Sequence, residues 1–191
     1  MATYPAKDYS ALRGLSGITD EQIEVHLKLY NGYVTRTNAL LETLAQTDPS
    51  TSAYQELKRR LGWEFNGMRL HEYYFDNLSA GGSGSLAGSA FAAKAAEQYG
   101  SVENWQKDFL STAKAPGIGW TICYLDPANG GLINFWVTEH EQGHPAGLIP
   151  VLVCDVFEHA FAVYRKPTDR APYLDDFFAN INWDVVNQRL G

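Results

Sequence analysis

Near the C-terminal end of the chain, PVLVCDVFEHAF (Pro150–Phe161) drives an apolar run straight into an aspartate. Val151 to Cys154 read as a buried strand. Asp155, and His159 four residues on with Glu158 beside it, then place a carboxylate and an imidazole at the end of a core. Neither belongs there without a partner. On a helix beginning near Asp155 the two share one face, as an N-cap with a hydrogen-bonded histidine or as two ligands of a metal. The other histidines are His26, His71, His140 and His144. His71 lies on an apolar helical stripe between Met68 and Phe75, and His26 lies between Ile23 and Tyr30 in the same way. Taken singly, each reads as a satisfied core histidine. Taken with Asp155, they form a set of three imidazoles and one carboxylate, which suits a transition metal and keeps iron and manganese in play. A metal with four such ligands and an open position suits redox or small-ligand chemistry. His144 reads as a surface loop residue.

The elements that must position these residues follow from periodicity and turn residues. Thr19 with Gln22 predicts a capping box, opening a helix that runs to about Ala45. A second stripe through Leu57, Leu61, Phe65, Met68, Phe75 and Leu78 predicts an antiparallel helical hairpin. After the Gly/Ser-rich stretch 79–89 come two shorter helices. WTICYLD and LINFWVT then predict a β-hairpin, LIPVLVCD a third strand, VFEHAFAVYRK a helix, and two further helices close the chain. The fold class is α+β: an N-terminal helical hairpin over 1–88, then a lobe over 89–191 with a small three-stranded antiparallel sheet surrounded by helices.

Bulk properties narrow the classes. With 191 residues, 45% hydrophobic and 19% charged, the chain is globular. A net charge of −7 argues against a nucleic-acid partner and means that an anionic substrate needs a local positive entrance. No apolar stretch predicts a membrane span. The start carries no pattern of a secretory signal. Cys123 and Cys154 read as buried thiols, for which a reducing cytoplasm is the expected setting.

The motifs together resemble the iron/manganese superoxide dismutases. DVFEHAF is similar to that family's Asp-Val-Trp-Glu-His-Ala-Tyr signature. YPAKDYSALRGLS, VHLKLYNGYVTRTN, FNGMRLHEYYFDNL, GIGW, GLIPVLVCD and NINWDVVNQRL follow in the family's order. The resemblance implies that His26, His71, Asp155 and His159 bind one Fe or Mn ion, with iron expected first and either accepted. It implies superoxide as substrate and a homodimer or homotetramer. It makes Tyr33 the gate tyrosine, Trp120 a wall of the metal pocket, and Glu158 the group that reaches the partner's metal histidine.

Four departures from the family pattern carry expectations. Position 67, where many members have a glutamine donor, is glycine, and His140 falls where the alternative donor stands. His26 and Tyr33 are seven residues apart where most members have eight, which predicts a regular helix without a π-bulge, since seven steps of about 100° return close to the starting face. The family's intervening histidine and its tyrosine partner are both missing, so Tyr30 is expected to fill space left at Ala162. Phe157 replaces the signature tryptophan. Two other readings stand on the residues alone: a mononuclear non-haem iron oxygenase-like enzyme, or a metal-free helical interaction protein.

Overall fold

The computed structural model describes residues 3–191. Its order is α1 (Asp20–Gln46), α2 (Ser52–Asp76), α3 (Ala90–Tyr99), α4 (Val102–Ala113), β1 (Gly119–Leu125), β2 (Leu132–Thr138), β3 (Ile149–Asp155), a 3-10 turn (Glu158–Ala160), α5 (Arg170–Ala179) and α6 (Trp183–Gln188). Thr19 and Thr51 cap α1 and α2 by accepting the Gln22 and Tyr54 backbone N–H groups. The two long helices pack side by side, so the stripes carrying His26 and His71 face each other. Both strand pairings are antiparallel, in the order β2-β1-β3. Every residue of β1 is buried, as befits a central strand covered on both faces. α2 packs on β3, which brings the end of β3 beneath the helical hairpin.

The fold expectation holds, with one correction in its elements. VFEHAFAVYRK does not form a helix; among these residues only Glu158–Ala160 is helical, as one 3-10 turn. Two local bonds compete with the helix. Asp155 Oδ1 accepts the Phe157 backbone N–H at 2.8 Å, which keeps Phe157 extended. Gln22 of α1 then fastens the turn: its side-chain amide donates to the His159 carbonyl at 2.6 Å and its oxygen accepts the Val163 N–H at 3.0 Å. The expected capping box is therefore half made. Thr19 caps, while Gln22 turns away to hold the Asp155–His159 segment. Helix α1 is α-helical throughout, including Leu27–Tyr33, as the shortened spacing predicts.

Candidate metal centre

Asp155 ends β3 directly opposite Trp120 of β1. With Oδ1 taken by Phe157, Oδ2 faces inward and three imidazoles gather on it. His159 Nε2 lies at 3.0 Å, His26 Nε2 at 3.1 Å and His71 Nε2 at 3.7 Å. One donor atom from each of the four residues lies within 4.8 Å of all the others. Nitrogen and oxygen ligands sit about 2.0–2.2 Å from a first-row ion, hence at most about 4.4 Å from one another. The cluster is close to that scale.

Hydrogen bonding at His71 tests the fit. Its Nδ1 lies against the Gly67 carbonyl, which can only accept, so Nδ1 carries the ring proton. Burial drives the His71 pKa well below its ordinary value, leaving Nε2 a bare lone pair. That atom is buried without a hydrogen-bond partner among the described residues. Burial alone would raise the Asp155 carboxyl, but His159 and His26 outweigh it and hold the group well below the usual carboxylate range. A lone pair therefore faces an anion. The arrangement is unfavourable unless a cation lies between them. Three imidazoles and one carboxylate are a donor set that iron or manganese accepts.

Above His71 lies Tyr33. Its ring stacks on the His71 ring at 5.2 Å between centroids and presses on the backbone of Gly67, where a Cβ would come within 2.5 Å of Tyr33 Cδ1. A glutamine at position 67 has no room while Tyr33 is in place. His140 approaches Tyr33 from the opposite side, fully buried. Trp120 Nε1–H donates to His140 Nδ1 at 3.1 Å. Indole nitrogen is only a donor, so Nδ1 is bare and the proton sits on Nε2, which donates to the Tyr33 oxygen at 2.7 Å. Burial lowers the His140 pKa to about 4 and raises that of Tyr33 to about 12. Both groups are neutral around pH 7, and the Tyr33 O–H keeps its proton free to donate elsewhere.

Phe157 stacks on His159 at 4.8 Å and leans on His140 at 4.9 Å. On the outer side, the Arg36 guanidinium lies 4.7 Å from the Tyr33 ring centroid. Arg36 and Arg60 both pair with the buried Glu64, at 2.8 and 2.6 Å. Two cations on one carboxylate leave a positive charge beside Tyr33, in a chain whose net charge is −7.

The other expected residues fall less simply. Glu158 and Ala162 are exposed, while the His159 side chain keeps 24% of its surface. Tyr30 is engaged within its own chain. Its ring is fully buried, its hydroxyl donates to Glu72 at 3.1 Å and accepts the Lys7 N–H at 2.9 Å. His144 is not a surface residue either: it is half-buried, bonded to the Tyr124 hydroxyl and the His140 carbonyl, each at 2.9 Å. Gln22, Arg36 and Glu64 were also missed in the sequence. Only the Arg60–Glu64 spacing of four residues gave a signal, and it reads equally as an ordinary surface pair.

The family model describing iron/manganese superoxide dismutases, C-terminal domain, matches residues 87–189. A protein of Aquifex pyrophilus named superoxide dismutase [Fe] is 38% identical over 96% of this chain and 89% of its own length. One of Cupriavidus metallidurans with the same name is 38% identical over 92% and 90%. A superoxide dismutase [Mn/Fe] of Aeropyrum pernix is 31% identical over 86% and 78%.

Proposed function

The chain belongs to the iron/manganese superoxide dismutase family, and from that premise we propose that His26, His71, Asp155 and His159 hold one Fe or Mn ion at which superoxide is dismuted, 2 O2⁻ + 2 H⁺ → O2 + H2O2. The observation that carries this is the bare His71 Nε2 facing the Asp155 anion at 3.7 Å. When bound, the ion supplies the alternate one-electron oxidation and reduction of superoxide. The chain's own residues supply position, exclusion of water and protons. Gly67 fixes the tautomer of His71, and Gln22 fixes the turn that carries His159. Trp120 and Phe157 wall the pocket. Tyr33 is the proton-holding group nearest the substrate. Because its oxygen already accepts from His140, its own O–H is the donor turned to the reacting oxygen atoms, with His140 behind it. Arg36 and Arg60 draw the anion in.

Iron leads and either metal is accepted, in keeping with relatives named for Fe and for Mn/Fe. The assembly is a homodimer or homotetramer. Exposed Glu158 and the half-exposed His159, whose Nδ1 makes no hydrogen bond among the described residues, support a Glu158 contact with the same histidine of a second copy. The cytoplasm is the setting that suits the unbridged, buried Cys123 and Cys154, and no described helix is long and apolar enough to cross a membrane. The division into 1–88 and 89–191 is supported by the family model's start at residue 87.

The test is dismutation by protein loaded separately with Fe(II) and Mn(II), with bound metal quantified. High turnover per bound ion in either sample is expected. Folded protein that binds no metal, or binds it stoichiometrically without turnover, overturns the reading.

A further inference from the structure

We propose that His144 is a positioning residue for the dismutation: together with Tyr124 it holds the strained turn that aims His140 at Tyr33. This rests on the site assignment above.

His140 sits at the tip of a tight turn between β2 and β3. Thr138 and Gln142 close it with two backbone bonds, of 2.9 and 3.3 Å. The residue before His140, Glu139, has φ 56°, the one positive value at a non-glycine among the described residues. A glutamate rests in that region only when its surroundings over-determine it. The turn itself is half-buried to exposed, yet the His140 side chain at its tip is fully buried. Something must hold a strained turn so that its one inward side chain stays aimed, and the backbone closure alone leaves the His140 carbonyl unengaged.

His144 engages it. Its Nε2 lies 2.9 Å from the His140 oxygen, and a carbonyl only accepts, so Nε2 carries a proton. The other ring nitrogen is fixed by the Tyr124 hydroxyl at 2.9 Å. Trp120 meanwhile fixes the His140 ring through Nδ1. Both anchors, Trp120 and Tyr124, come from β1, the buried central strand. His140 is thus held at the ring by one residue of β1 directly, and at the backbone by another through His144. Nothing else in the structure asks for a histidine at position 144, since it touches neither the ligand set nor the Tyr33 hydroxyl.

The experiment compares metal-loaded wild type, His144→Leu, His144→Gln and Tyr124→Phe by kcat, KM, bound metal and crystal structure. Leucine fills the space without either hydrogen bond. Glutamine keeps a donor for the carbonyl and an acceptor for Tyr124. For His144→Leu the expected result is kcat roughly tenfold lower with KM and bound metal unchanged, since the reacting groups are misplaced rather than lost. The His140–Tyr33 bond should lengthen from 2.7 Å. His144→Gln should recover kcat to within about threefold of wild type. Wild-type kcat with an undisturbed turn in His144→Leu overturns the proposal, as does a His144→Gln variant no better than leucine. Should His144→Leu fail to fold, Tyr124→Phe decides: kcat down about threefold supports the brace, and an unchanged kcat and turn overturn it. A wild type without dismutation would sink the site assignment instead, while the His140–Tyr33 distance still reads the positioning.

Discussion

Replacing a glycine inside a helix with alanine ordinarily stabilises it by about 0.5–1 kcal/mol. Gly67→Ala should do the reverse. The new Cβ would lie 2.5, 2.7 and 2.9 Å from Tyr33 Cδ1, Cε1 and Cγ. Cγ lies on the axis about which the ring turns, so rotation of the ring does not clear its 2.9 Å contact. The ring must retreat by roughly 1 Å to reach ordinary contact. It has little freedom to do so, being stacked on His71, covered by Arg36 and bonded to His140. Overpacking of this kind costs about 1–3 kcal/mol, and losing the Tyr33–His140 bond adds about 1 kcal/mol. Set against the propensity gain, the variant should be about 1–3 kcal/mol less stable than the parent.

The same helix contains its own control. A Cβ at Gly62 would meet only the Glu141 side chain, at 3.6 Å, so Gly62→Ala should show the ordinary gain. Denaturant melts of both variants, alongside turnover per bound metal, give the answer. Gly67→Ala should melt earlier and lose at least roughly tenfold in kcat, because a displacement of about 1 Å misaims the proton donor. If both variants are stabilised alike and both keep full turnover, the close approach of Tyr33 to α2 is wrong.

Three further outcomes follow from the site. Folding keeps His140 neutral with its pKa at about 4, whereas the unfolded chain takes up that proton near 6.5; stability is full above about pH 6.5 and falls as pH drops toward 4, by up to about 3 kcal/mol for this residue. Paired melts from pH 8 to 4 should show a shallower slope for His140→Gln than for wild type, and equal slopes would refute the buried neutral imidazole. Arg36→Gln should lower kcat/KM roughly three- to tenfold at low ionic strength and flatten its salt dependence, whereas an unaltered salt profile would remove Arg36 from the entrance. Glu158→Ala should weaken self-association in sedimentation; an assembly of unchanged size and affinity would show that Glu158 is not the contact.

The sheet and the helical hairpin were legible because their signals are local: the apolar stripes through His26 and His71, the turn residues of the β-hairpin, the Thr19 cap. The cluster of His26, His71, Asp155 and His159 was legible in the residues themselves, since few positions bury an imidazole on an apolar stripe or a carboxylate at a strand end; the resemblance to a family gave it an expected metal. What failed was whatever depends on a rival hydrogen bond. VFEHAFAVYRK has helical texture, yet Asp155 captures the Phe157 N–H and Gln22 captures the turn beyond it. Gln22 looked like half a capping box because spacing says nothing of a partner 137 residues away. His144 is a loop residue as read, but it looked like a surface one because spacing does not show its two partners, a strand hydroxyl and the His140 carbonyl.

The departures from the family pattern resolve into one arrangement. A seven-residue spacing on a regular α1 sets Tyr33 on the face that bears His26 and brings its ring over His71. A ring there consumes the space above α2, so position 67 can carry no side chain. The donor must then come from outside the helical hairpin, and the turn after β2 is the segment that reaches the Tyr33 hydroxyl, with Trp120 close enough to impose the tautomer. That tautomer spends the single proton of His140 on Tyr33, whose own O–H stays free to donate. A glutamine amide carries two donor hydrogens and could serve both the tyrosine and a second acceptor at the centre. A histidine held this way has one. Substituting glutamine at 140 would therefore change how many hydrogen bonds reach the centre, and with them the reduction potential of the bound metal, even if Tyr33 does not move.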